Sequence, residues 1–112
     1  MQAASDVFRT LSDATRLQLA ILLKLHGECC VCHLAAALDA PIFRVSRHLG
    51  VMKDRGLVEA RREGTWIHYR LAEPRNSLEA CLHNCFASCF TDNESIRQCL
   101  ERLNQAQICG KN

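Results

Sequence analysis

Eight cysteines in 112 residues are the chain's chief chemical resource. Cys29, Cys30 and Cys32 fall within four positions of "GECCVCHLAAAL", residues 27–38. Cys81, Cys85 and Cys89 recur every four residues, and Cys99 and Cys109 stand apart near the end. Thiolates bind soft ions, exchange with disulfides, or fill a core as small apolar groups. The N-terminus, "MQAASDVFRT", lacks the charged and apolar sections of an export signal, which predicts a cytoplasmic protein. In a reducing compartment a disulfide scaffold is disfavoured, and ligand, sensor or packing duty remains.

Geometry sorts these thiols. On a helix, residues i and i+2 diverge by about 200°, so Cys30 and Cys32 face one ion only where the helix start is unwound. Cys81, Cys85 and Cys89 share a face with Leu78, Leu82 and Phe86, the pattern of an apolar helix stripe. Cys99 and Cys109 are about 15 Å apart along an unbroken helix. They meet only if the helix ends near Asn104 and the tail folds back, or if each comes from a different subunit. On that condition they are slightly preferred to Cys30 and Cys32 as the core of a soft-ion site, with Cys89 or a partner chain as a further source of sulfur.

The net charge of +2 conceals a gradient. Residues 42–71 hold seven Lys/Arg against three Asp/Glu, whereas the flanking segments are close to neutral. A basic block in an otherwise balanced chain is the footprint of a nucleic-acid partner. Within it, Arg44, Arg47 and His48 take positions i, i+3 and i+4 of a helix, with Ser46, Lys53 and Arg55 beside them. Val45, Leu49 and Met52 form the opposing apolar face. Arg61 and Arg62 precede a turn at Glu63-Gly64-Thr65. Arg44, Ser46, Arg47, His48, Lys53, Arg61 and Arg62 are therefore the candidate DNA contacts.

The elements that must position these residues follow from periodicity. A short helix places Val7, Phe8 and Leu11 inward. A second starts at a Ser12 cap and runs to Gly27 with Leu17, Ala20, Ile21 and Leu25 on one side. An alanine-rich helix ends before Pro41, and the basic helix over 43–55 stops at Gly56. Alternation in "LVEARREGTWIHYRL" predicts a two-stranded hairpin with Trp66 and Tyr69 packing its base. Two further helices follow, the last capped by Thr91 or Asp92, and the tail "AQICGKN" shows no periodicity. The class is mainly α with a two-stranded β-hairpin, a winged helix-turn-helix in one domain spanning 1–112. The helix-turn-helix covers about 29–55, the wing about 57–71, and the C-terminal helices about 75–105. No run of eighteen apolar residues exists, so no membrane span is expected.

Together, "LSDATRLQLAILL", "ECCVCHLAAAL" and "VSRHLGVMKDRGLVEARREGTWIHYRL" resemble the ArsR/SmtB family of metal- and metalloid-responsive repressors, over about residues 8–71. The resemblance implies a homodimer built by helix 1 and helices 5 and 6. It implies an operator-bound repressor that leaves double-stranded DNA when a toxic ion binds. The arsenical branch carries Cys-Val-Cys-Asp-Leu-Cys before the turn. Here Cys30 and Cys32 match, but the third position is Ala35, which cannot bind. The branch's Ser-Gln-Pro at the start of the recognition helix is replaced by Pro41-Ile42-Phe43. The implied inducer is As(III), Sb(III) or methylarsenite, with Cys99, Cys109, Cys30 and Cys32 as candidate ligands and no cofactor needed for folding. A Zn(II) or Cd(II) sensor is the divalent alternative, for which His83 and Asp92 are available, and a Cys99–Cys109 disulfide switch is the redox one. No Gly-rich phosphate loop, carboxylate pair or Cys-His-Asp set supports an enzyme.

Overall fold

The computed structural model describes residues 1–109, and for Ile108 and Cys109 the backbone alone. Helices α1 (Gln2–Leu11) and α2 (Ala14–His26) lead into a two-residue strand, β1 (Cys29–Cys30). Helices α3 (Val31–Leu38) and α4 (Ile42–Asp54) form the helix-turn-helix. Strands β2 (Val58–Glu63) and β3 (Trp66–Leu71) form the wing, and α5 (Ser77–Ser88) and α6 (Glu94–Cys109) complete the chain. Among the described residues, no helix is long and apolar enough to cross a membrane.

Helix α2 is the centre of the core. Leu19, Ala20, Ile21, Leu22 and Leu23 are consecutive yet all buried, so neighbours surround this stretch rather than flank one stripe. The other helices and β3 pack against it or against one another around it. Asp13, not Ser12, caps α2 by accepting from the Arg16 N–H at 3.1 Å. Ser12 instead closes α1, where its hydroxyl donates to the Arg9 carbonyl at 2.7 Å. Of the residues expected inward on α1, Val7 is buried but Phe8 is exposed. Phe8 thus lies outside the face that α1 turns to α2.

The hairpin has the expected strands and a two-residue turn, with Glu63 opposite Trp66 and Gly64 at φ 65°. Only a residue tolerant of positive φ fits there. Tyr69 is buried as expected, whereas Trp66, next to the turn, is 54% exposed. The sheet has three strands rather than two, in the order β1-β3-β2. Cys29 pairs with Tyr69 and Cys30 with His68, antiparallel.

The last helix also departs from expectation. Asn93 caps it, its side chain accepting from the Ile96 N–H at 3.0 Å. The helix continues unbroken to Cys109. Its apolar face, Ile96, Cys99 and Leu103, is buried within its own chain, against α3 and α2. Gln18 donates to Ser95 at 3.4 Å and His26 contacts Gln107 at 2.9 Å, so α6 runs parallel to α2.

The junction of α4 and α5 is held by one buried carboxylate. Glu79 accepts from the Arg75 backbone N–H at 2.9 Å and from the Arg75 guanidinium at 2.7 Å. The same guanidinium donates to the Arg55 carbonyl at 3.0 Å. Gly56 sits beneath it at φ +76°, where an added Cβ would lie 2.5 Å from the guanidinium. The Arg75 hydrogen bonds hold the Glu79 carboxyl below its ordinary range. A carboxyl lowered in the folded state stabilises above its unfolded pKa, and this contribution is lost as pH falls through the folded value. Thermal unfolding should therefore show the midpoint dropping below about pH 4, with a smaller drop in Glu79→Gln, which should already be less stable at pH 7.

Candidate nucleic-acid interface and thiol site

Helix α4 is fixed by one face and free on the other. Val45, Leu49 and Met52 are wholly buried. Asp39, in left-handed conformation at φ 52°, ends α3, and Pro41 caps α4 in extended conformation. This tight connection presents the start of α4 to solvent. Arg44, Arg47 and Lys53 are exposed and Ser46 is half-buried. None of these three cations makes a salt bridge among the described residues, whereas Arg55 pairs with Asp6 at 3.4 Å.

His48 behaves differently from the arginines whose face it was expected to share. Its side chain is 19% exposed and lies 3.9 Å from Asp13. Arg16 donates toward its Nδ1 at 3.3 Å. Burial pushes the Asp13 carboxyl up, but the Arg16 N–H, His48 and the Arg16 guanidinium together bring it below its usual range. His48 thus ties α4 to the start of α2, and Arg16 is a positioning residue that the basic pattern of 42–71 did not mark.

On the wing, the two neighbouring arginines separate. Arg61 is bound by Glu28 at 2.6 Å and approaches Glu63 at 3.4 Å. Arg62 is exposed and makes no salt bridge among the described residues. Arg70 pairs with Glu59 at 2.8 Å. Ile42 and Phe43 are also exposed on the first turn of α4, at 47% and 62%. The replacement of Ser-Gln-Pro by Pro41-Ile42-Phe43 was the one sequence signal pointing to them.

The thiols of Cys30 and Cys32 lie 2.7 Å apart. The i and i+2 divergence does not apply, because Cys30 is not on the helix. It is the extended residue before α3, with φ −66° and ψ 143°, held by its pairing with His68. Cys32 is on the first turn. Burial and the neighbouring Cys30 thiol push Cys32 up to about 11, against a smaller downward pull from the backbone N–H groups of His33 and Cys32. Cys29, also buried, is pushed up to about 12 by burial, and its thiol turns to the Cys30 carbonyl at 3.6 Å. His33 is half-buried, and its imidazole is shifted down by burial and by His68 and His26. Ala35 is buried in α3. No group of three or more His, Cys, Asp or Glu converges for a metal ion among the described residues.

The Cys99–Cys109 pair is not assembled within one chain. Helix α6 neither ends near Asn104 nor folds back. Cys99 is 2% exposed, burial shifts its thiol upward, and its sulfur accepts from Arg102 at 3.6 Å. The Cys109 side chain lies outside the described residues. Cys81 on α5 and Cys89 just past its end are exposed, with Cys85 half-buried between them.

Comparison with known proteins agrees with this architecture. Residues 13–60 match the model of the bacterial regulatory protein, arsR family. The chain is 38% identical over 100 residues to a probable mercury resistance operon repressor of Streptomyces lividans, covering 86% of this chain and 74% of that protein. The chain belongs to the ArsR family. It is also 46% identical over 67 residues to the arsenical resistance operon repressor of Escherichia coli K12, covering 60% of this chain and 57% of that repressor. The chain thus spans little more than half the length of this curated relative. A homodimeric winged helix-turn-helix DNA-binding domain of Mycobacterium bovis, Mb0332, superposes with a TM-score of 0.62 at 30% identity, over 83% of this chain and 82% of that one. The matching family model is that of a bacterial regulatory protein.

The thiol environments give a direct chemical test. Iodoacetamide attacks thiolates, so at pH 7 mass spectrometry should show Cys29 and Cys32 alkylated at least about tenfold more slowly in the folded chain than in the urea-unfolded chain. Equal rates in the two states would show that burial does not control these thiols.

Proposed function

We propose that the chain is a cytoplasmic, homodimeric repressor that holds operator DNA through α4 and the wing and releases it when thiols capture a trivalent metalloid. The carrying observation is that Cys30 and Cys32 touch at the start of α3, the helix that leads directly into α4. Arg44, Arg47, Lys53 and Arg62 supply the free cations for duplex contact, with Ser46 beside them on α4. Arg61 and His48, already engaged, hold the wing and α4 in place. The dimer surfaces fall to α1 and α5, where Phe8 and Cys81 are exposed, since α6 buries its apolar face at home.

Two adjacent sulfurs suit methylarsenite, which has two free positions, or As(III) or Sb(III) completed by a third thiol. Gln107 holds the end of α6 to His26, three residues before Cys29. Cys109, which ends α6, is one candidate for that third sulfur, and a thiol of the partner chain is the other. Cys99 would first require α6 to lift from α3. A second reading is Hg(II), a soft ion that two thiolates suffice to bind, favoured by the mercury resistance repressor among the relatives. Zn(II) and Cd(II) prefer four ligands, often including nitrogen or oxygen.

A captured ion releases DNA only if it binds the free shape better than the DNA-bound one. A coupling of about 3 kcal/mol lowers operator affinity roughly a hundredfold. Fluorescence anisotropy on a duplex selected from a random library tests this. Affinity should fall steeply with salt, and Arg47→Ala should weaken it about five- to hundredfold. Methylarsenite, As(III), Sb(III) and Hg(II) are then added in separate arms, with a metal-free oxidant as the disulfide control. Cys30→Ser and Cys32→Ser should abolish release, while Cys99→Ser should retain it. Release that survives both the Cys30 and the Cys32 substitution, or that only the oxidant produces, overturns the assignment.

A further inference from the structure

We infer that Ile42 and Phe43 read thymine methyl groups in the major groove, so that this repressor selects its operator partly by apolar contact. The inference rests on the DNA-binding reading above and assigns the chemistry of its recognition surface. Both side chains stand on the first turn of α4, 47% and 62% exposed. They do not serve the core, because Val45, Leu49 and Met52 already bury the inner face of the helix completely. Extended Pro41, at φ −61°, caps the helix and sets the direction in which this first turn leaves the chain.

What surrounds the pair decides what it meets. Arg44 and Arg47 are exposed on the same helix, and neither makes a salt bridge among the described residues. An apolar centre rimmed by unpaired cations is a poor match for another protein's apolar patch or for a neutral surface. It matches a polyanion that carries apolar groups between its charges. In a major groove, phosphates line the walls, and the apolar group on a base edge is the thymine C5 methyl. The N-terminal residues of a recognition helix are those that reach base edges. Neither Ile nor Phe has a side-chain donor or acceptor, so neither can distinguish bases by hydrogen bonding. Each can distinguish thymine from cytosine by the methyl group. The arginines would meanwhile take phosphate or guanine and fix the register.

Deoxyuridine separates this contact from every other contribution, since it pairs like thymine and lacks only the methyl. Wild type, Phe43→Ala and Ile42→Ala are measured by anisotropy on the duplex enriched from a random library, with each thymine replaced in turn. Because both side chains are exposed, the variants should keep the wild-type melting temperature. Wild type should lose about three- to fivefold affinity at one or two thymines per half-site, as expected for one buried methyl. At those positions Phe43→Ala or Ile42→Ala should bind the thymine and deoxyuridine duplexes equally. Full retention of the thymine preference in both variants overturns the inference, as does a wild type indifferent to deoxyuridine throughout. A library from which no duplex is enriched overturns the DNA-binding reading itself, and this inference falls with it.

Discussion

The two-residue pairing of Cys29 and Cys30 with Tyr69 and His68 joins the wing to the thiol segment that opens the helix-turn-helix. It holds Cys30 extended and so delays the start of α3 to Val31. That delay brings the Cys30 sulfur back over the first turn to Cys32. The pairing also attaches the thiol segment to the inner strand of the wing, while α3 carries it toward the recognition helix. The Cys30 and Cys32 sulfurs are therefore joined to the wing and to the helix-turn-helix at once. The ion pair between Glu28 and Arg61 reinforces the same join one residue upstream, although an exposed pair of this kind adds little stability by itself.

Helix α6 supplies a second restraint on that unit. Arg102 donates to the Ala37 carbonyl at 2.8 Å, close to the end of α3, and Gln107 contacts His26 at the end of α2. Cys99 and Leu103 fill the space between these helices. Helix α3 is thus gripped at its start by the wing strand and near its end by α6. Such a short element, eight residues long, has little intrinsic helical stability. Its geometry is set by what packs around it.

Much of the fold was legible in the chain. Leu49, Met52 and Val45 announced the inner face of α4, and Glu63-Gly64-Thr65 the turn of the wing, because helical and strand periods are local properties. Local rules misplaced the caps by a residue or two, since Ser12 and Asp13 are both competent and only the backbone path selects Asp13. They also misjudged Phe8 and Trp66, whose apolar character says nothing about which side of an element meets the core. The tail beyond Asn104 lacks an apolar period, yet contacts with α2 hold it helical as far as Cys109.

The sequence by itself determined the helix-turn-helix, the wing, the concentration of positive charge and the supply of thiols, because composition and short-range spacing govern each of these. Tertiary structure alone decided which groups meet. It set Cys30 against Cys32 through pairing with a strand nearly forty residues away. It buried Cys99 against α3, engaged Arg61 and His48 with acidic and basic partners, and left Arg47, Arg62, Ile42 and Phe43 facing solvent. Contacts between residues distant in sequence depend on the packing of whole elements, and no local pattern contains them.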